Sequence, residues 1–500
     1  MREAKKNNTA ESIANTFEWI ITAFVLAFVF RAFVLEAFRI PTGSMADTLM
    51  GDHFRLRCTQ CGYKYEYNFD PYVELNPNNR AVVGNGYYKM LPQPRCPSCG
   101  YYENPTVPAS KSNGDRILVF KSLYQFTEPK RWDVFVFKNP TDPKINFIKR
   151  LIGKPGETIE VIDGDIYING KLARKSPKVQ EELWFPIYNN NFQPIQPLEG
   201  RFNGHGWHQP FTNQGDSQWK WDSARPLEFT LAGDESKVHT LFYDTQKGND
   251  FRATYAYGKP MDYHTIPYCS DLLLKFSVKQ SGAGTIGIAL SKYKILYKAS
   301  LDSDGTMKIT KTSSDGNVVE LASERFRISA DDHFVPVSFS DSDHLLVFEV
   351  AGQKLSYDLG TDPNDAGERL KEISPSASVF GIGKLTINDV QLYRDIYYMN
   401  NTTRGVNDKI LRAGEGEPFT LGKDEFFACG DNSPDSYDSR LWQTEGIGNN
   451  GTTYRMGIVP RDYLVGKAFF VYWPGGFRIG NFNLAIIPNV GRMRFIYGGE

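Results

Sequence analysis

Neither sign of charge dominates this chain: 57 Lys and Arg stand against 58 Asp and Glu, a formal net charge of −1. Such a balance gives no long-range field for gathering a polyanion, so nucleic acid is not an expected partner. The sequence has no low-complexity block, no internal repeat and no evident helix-turn-helix. Amphipathic helical periodicity is scarce. The chain has seven histidines, and none sits in a recognisable catalytic motif. At 500 residues it is too long for one ordinary core, so two or three domains are expected.

One long apolar run is present. After the basic start MREAKKNN, the stretch Trp19–Phe30 is uncharged and apolar but for Thr22, and from Ile13 to Phe38 only Asn15, Glu18, Arg31 and Glu36 are strongly polar. About 20 helical residues cross a bilayer core, and Arg31 can snorkel from the end of the span. The positive start predicts a cytosolic N-terminus, residues 1–12, and an anchor over 13–36 with everything after it exported. A cleaved signal sequence is the competing reading, and no clean small-x-small cleavage site follows Phe30.

Beyond the span the pattern is mainly β. FVLEAFRIP, GDRILVFKSLYQF and WDVFVFKNP are rich in β-branched and aromatic residues. NFIKRLIGKPGETIEVIDGDIYING predicts strand, Gly-Lys-Pro-Gly turn, strand, Asp-Gly turn, strand. FFACGDN and YLVGKAFFVYWP resume the pattern near the end. Between these parts, residues 176–404 begin irregular and Trp-rich and then give many short strands, among them DLLLKFSVKQ, TIGIALSK, HFVPVSFS, HLLVFEVAG and KLTINDVQLYRD. This spacing predicts an inserted antiparallel β-sandwich, similar to jelly-roll or lectin-like modules. The predicted division is a core of 37–57, 106–175 and 405–475, a cysteine-rich insertion over 58–105, the sandwich insertion, and a tail over 476–500 with the basic stretch GRMRF.

CTQCG, from Cys58, and CPSCG, from Cys96, are two Cys-x-x-Cys-Gly knuckles separated by 34 residues. Cys58, Cys61, Cys96 and Cys99 suit a structural zinc, four thiolates with no open position for water. Two disulfides are the rival on the exported side of a membrane. Cys269 and Cys429 are expected to be buried thiols, with pairing between them left open. His205 and His208, in a Gly-rich loop, are expected to be surface residues before metal ligands.

Chemistry concentrates in two short stretches. In RIPTGSMADTLMGD, Ser44 stands between Gly43, which permits close backbone approach, and Met45. Serine needs a base or a structure that aims it. In NFIKRLIG, strand alternation puts Phe147, Lys149 and Leu151 on one face. An amine held between Phe and Leu on an inward face is desolvated, and desolvation lowers a lysine pKa from about 10.4. A neutral amine can take the proton of a serine at ordinary pH.

These stretches resemble, in order, the serine box and the lysine box of the bacterial type I signal peptidases (leader peptidases). GDNSPDSYDSR, Gly430 to Arg440, resembles that family's last box. With the intervening strands the resemblance covers roughly 200 of the 500 residues. It implies a signal-peptidase-like β core and a serine endopeptidase in which Ser44 is the nucleophile and Lys149 the neutral general base. Thr42, with the Ser44 backbone N–H, would form the oxyanion hole. Ser436 would orient the lysine, and Asp438 and Arg440, with Arg150, would brace the loop. Met45 would pack. No catalytic cofactor is implied. The implied partners are preproteins with small residues at −1 and −3 of the signal peptide, together with the lipid bilayer of the cytoplasmic membrane, the catalytic part lying outside. A ligand of the sandwich is left open. Asp47 replaces the family's proline, Ser433 its arginine, Asp435 its asparagine and Gln443 a frequent glycine. The rival functions are a membrane-tethered binding protein on a peptidase scaffold and a self-cleaving serine–lysine regulator.

Overall fold

A computed structural model describes residues 9–68, 94–103, 110–195, 202, 206–222, 227–232, 237–255, 257, 266–328, 333–399, 412–448, 451–478 and 485–499. It is mainly β with one long helix, Thr9–Phe33, near the N-terminus. Within the helix Ser12–Arg31 is long and apolar enough to cross a membrane, and none of it is buried against the rest of the protein. The helix passes almost directly into the edge strand Leu35–Arg39, so the sheet that follows begins where the apolar helix ends.

That sheet has eight strands. Its order is Leu35–Arg39, Arg116–Phe120, Leu464–Trp473, Val134–Asn139, Asp142–Gly153, Glu425–Cys429 and Val459–Pro460, and Arg494–Phe495 pairs with Leu464–Trp473. Residues from the far end of the chain thus complete the core, where Ile496 is buried with Ile117, Val119 and Val134. A second sheet pairs Lys171–Leu172, Asp165–Ile168, Thr158–Ile162 and Phe419–Thr420. Its tight turn at Asp163 and Gly164 uses positive φ at both residues, as the Asp-Gly pair predicts. Leu123–Phe126, expected to extend a strand, is instead a single helical turn.

The region from Phe185 to Arg394 forms one antiparallel network of twelve strands. Two long strands, Leu272–Lys292 and Ser376–Arg394, run side by side through it. The first joins what the sequence reads as two strands, because glycines bend it without ending it. The pairing slips between Ser281 and Gly284, where Gly282 in the bulge and Gly383, the partner of Gly284, both take positive φ. Before the bend Leu272–Lys292 pairs with Val335–Ser342, and after it with Ile295–Asp302, so the sheet folds over itself into two layers. Alternation before the bend sends Leu272, Leu274, Phe276 and Val278 into an apolar interior that also holds Ile286, Ile288, Phe339 and Phe348.

Candidate active site

The loop from Ile40 to Asp52 is closed on itself. Asp52 N–H donates to the Pro41 carbonyl at 3.3 Å, and Ile40 N–H donates to the Asp115 carbonyl at 2.9 Å. The Asp115 carboxylate accepts from Met50 N–H at 2.9 Å. Gly51 is required at the closure, since a Cβ there would lie 2.2 Å from the Thr42 carbonyl carbon. Met45 and Leu49 anchor the loop in the core beside Ile117 and Val136. This packing presents Ser44, 8% exposed, toward the strand Asp142–Gly153.

Lys149 lies on that strand, 4% exposed, with its Nζ 2.5 Å from Ser44 Oγ. The amine is 5.4 Å from the Phe147 ring centroid. In the neighbouring strand Phe135 pairs directly with Lys149 and is fully buried, so the lysine stem lies on the apolar face that alternation assigns to it. Thr42, two residues before Ser44, is exposed.

The third stretch packs beneath. Asn432 N–H donates to the Ser44 carbonyl at 3.1 Å, and its side-chain amide donates to the Gly43 carbonyl at 3.1 Å. A Cβ on Gly430 would meet both the Ser44 carbonyl oxygen and Ser436 Oγ at 2.3 Å, so only glycine allows the two segments this close. Ser436 is fully buried against the serine loop, and its hydroxyl is one of the groups that stabilise the Asp438 carboxylate. Two buried ion pairs hold the stretch. Arg440 donates to both Asp438 oxygens, at 2.9 and 2.8 Å, and Asp438 also accepts from Gly430 N–H at 2.9 Å. Burial pushes the Asp438 carboxyl up, but the Arg440 guanidinium and the hydrogen bonds prevail and hold it below the usual carboxylate range.

Arg150 does not join the Asp438 pair. It makes its own fork to Asp431, with both bonds at 2.8 Å, and donates to the Trp132 carbonyl at 2.9 Å. Sequence reading missed Asp431 and Asn432. The signal was present, because an acidic residue and an amide in a buried Gly-Asp-Asn turn need partners. Among the replaced positions, Ser433 Oγ accepts from Arg440 at 2.7 Å and from Met399 N–H at 2.7 Å. Burial pushes the Asp47 carboxyl up to about 6, and Glu66 adds to the effect.

The four knuckle cysteines converge. Their Sγ atoms all lie within 4.8 Å of one another, Cys58 to Cys99 at 3.7 Å and Cys61 to Cys96 at 3.6 Å. Both knuckles fold alike: Gly62 N–H returns to the Cys58 carbonyl and Gly100 N–H to the Cys96 carbonyl, each glycine at positive φ. Cys269 and Cys429 are buried and free. His208 is exposed and belongs to no metal-capable cluster among the described residues, and His205 lies outside the described residues.

Residues 103–198 and 380–473 match the family model described as signal peptidase, peptidase S26. Lys149, Arg150, Ser436, Asp438 and Arg440 fall within the matched residues, and Ser44 precedes them. The chain is 32% identical over 173 residues to signal peptidase I of Rickettsia canadensis, covering 34% of this chain and 49% of that protein. It is 31% identical over 173 residues to signal peptidase I of Rickettsia akari, covering 34% and 48%. The chain thus spans about half the length of the curated relatives it matches. Among solved structures, the carbohydrate binding module CBM66 from Bacillus subtilis aligns over 37% of this chain and 96% of its own, at 9% identity and a TM-score of 0.25.

Proposed function

We propose that this chain, which belongs to the signal peptidase (peptidase S26) family, is a membrane-anchored serine endopeptidase that removes signal peptides from exported preproteins. The observation that carries the reading is the 2.5 Å approach of Lys149 Nζ to Ser44 Oγ inside an apolar wall. As Ser44 Oγ attacks the scissile carbonyl, neutral Lys149 accepts its proton and then passes it to the leaving amine. Lys149 next deprotonates the water that releases the acyl group. The Ser44 N–H and the Thr42 hydroxyl hold the oxyanion, a donor of this kind being worth about 10²–10³ in turnover. Ser436 orients Lys149, and Asp438, Arg440 and Arg150 brace the loop; none of the four takes a proton. Small residues at −1 and −3 of the signal peptide are the selected ones.

The helix Thr9–Phe33 anchors the protein, with its N-terminus cytosolic and the catalytic part outside the cytoplasmic membrane. Ser44 follows the helix by eleven residues, which suits a substrate that itself threads the bilayer. Residues 58–105 and 176–404 are insertions in the peptidase core. The knuckles hold a structural zinc through Cys58, Cys61, Cys96 and Cys99. Tetrahedral zinc with bonds of about 2.3 Å sets its sulfurs about 3.8 Å apart, close to the 3.6 and 3.7 Å found. Bound there, the metal would cross-link the two knuckles.

The test is cleavage of a labelled preprotein by the full chain in lipid vesicles, beside Ser44→Ala and Lys149→Ala. Both substitutions are expected to abolish cleavage, and retained cleavage in either refutes the dyad. Metal analysis of the same preparation is expected to return one zinc per chain. Its absence together with oxidised cysteines would reject the zinc site.

A further inference from the structure

Tyr257 lies among the residues of the sandwich insertion, outside every motif of the peptidase core. It is nevertheless 1% exposed and packed with Ala46 and Met50 of the serine loop. Its ring covers Gly43, the neighbour of Ser44. A Cβ at position 43 would fall 1.6 Å from Tyr257 Cε1, and the three atoms nearest to it all belong to that ring. Gly43 is not among the glycines at positive φ, so glycine here answers to the ring and not to the backbone. The Tyr257 hydroxyl donates to the Asp52 carbonyl at the far end of the same loop. The Tyr257 carbonyl accepts from Asn432 Nδ2 at 2.9 Å, the same amide that donates to Gly43. One side chain of the insertion therefore touches the residue before Ser44, the middle of the loop and its end.

We propose that Tyr257 is a positioning residue for Ser44: the insertion reaches back into the active centre and holds the loop so that Oγ meets the Lys149 amine. This rests on Ser44 being the nucleophile. With the ring gone, the space over Gly43 empties and the tie to Asp52 is lost, while the strand carrying Lys149 stays where it is. A displacement of about 1 Å between reacting groups can cost about 10²-fold. The insertion then serves catalysis directly, whatever else it binds.

The full chain in vesicles, cleaving a synthetic preprotein, tests this with kcat and KM for wild type, Tyr257→Phe, Tyr257→Ala, Gly43→Ala and the double variant Gly43→Ala/Tyr257→Ala. Thermal midpoints are recorded for each. Tyr257→Ala is expected to lower kcat about 10-fold to 100-fold with KM within about twofold. Tyr257→Phe, which keeps the ring over Gly43, is expected to lose less. Gly43→Ala is expected to be severely impaired, and adding Tyr257→Ala is expected to restore part of its kcat by opening the space the new methyl needs. Wild-type kcat in Tyr257→Ala, or Gly43→Ala equally impaired with and without the ring, overturns the proposal. Should Ser44→Ala still cleave, the nucleophile assignment fails and this proposal with it. An inactive Ser44→Ala beside a fully active Tyr257→Ala defeats the positioning role alone.

Discussion

The core sheet and the folded-over sheet of the insertion bury side chains in opposite ways. Between the two layers of the insertion the interior is apolar, with Phe339, Phe348, Leu274 and their neighbours stacked by strand alternation. Its buried charges gather where the peptidase core meets it: Lys292 pairs with Asp271, and Lys175 bridges Asp343 at 2.6 Å and Asp395 at 3.0 Å. The core instead buries charge around Lys149 and Ser44, with Arg150 on Asp431 and Arg440 on Asp438. Apolar packing is the cheaper route to stability, and buried ion pairs often do no better than hydrophobic replacements. We read the forks in the core as fixing geometry, because their directional bonds set where the Gly430–Arg440 turn meets the serine loop.

The contrast can be broken first at the core. Arg440→Ala leaves Asp438 buried and uncompensated, which is expected to cost about 3–5 kcal/mol and most of the activity. Thermal unfolding and turnover on the same preparation check it. In the insertion, Phe339→Ala removes a fully buried ring and is expected to cost about 3–5 kcal/mol of that module's stability. Below the unfolding transition, kcat is expected to stay within about twofold. If both variants lose activity in proportion to stability, the contrast collapses.

Asp47 sharpens it by pH. Its folded pKa is raised from 3.8 to about 6, so protonation favours the fold. Its contribution is fully present below 3.8 and lost as pH rises through about 6. Asp47→Asn is therefore expected to stabilise the fold at pH 8 by at most about 3 kcal/mol, seen as a raised thermal midpoint, and to change the midpoint little at pH 4. Equal effects at both values would contradict the reading. Asp438 has the opposite sign: its contribution is present above the ordinary carboxylate value and lost as pH falls below it through the depressed folded pKa. The smallest effect belongs to the solvent-exposed pair Lys237–Asp216. Lys237→Ala is expected to leave midpoint and turnover unchanged.

Much of this was legible in the sequence because it is local. Alternation places Lys149 on the face of Phe147 and Leu151, the Asp-Gly pair marks a hairpin, and the repeated Cys-x-x-Cys-Gly marks two knuckles that converge. What was not legible depends on the approach of distant segments. Nothing near Arg150 in the chain names Asp431 as its partner, and nothing near Gly43 names Tyr257. The bend in Leu272–Lys292 was read as a break because glycine ends a strand as readily as it turns one.

The most direct test of the proposed activity is where, and with what help, the chain becomes acylated. Mass mapping of the protein trapped with a slowly released acyl substrate is expected to find the adduct on Ser44 in the wild type and none in Lys149→Ala. An adduct on another residue, or one forming at the wild-type rate without the lysine, would contradict the account.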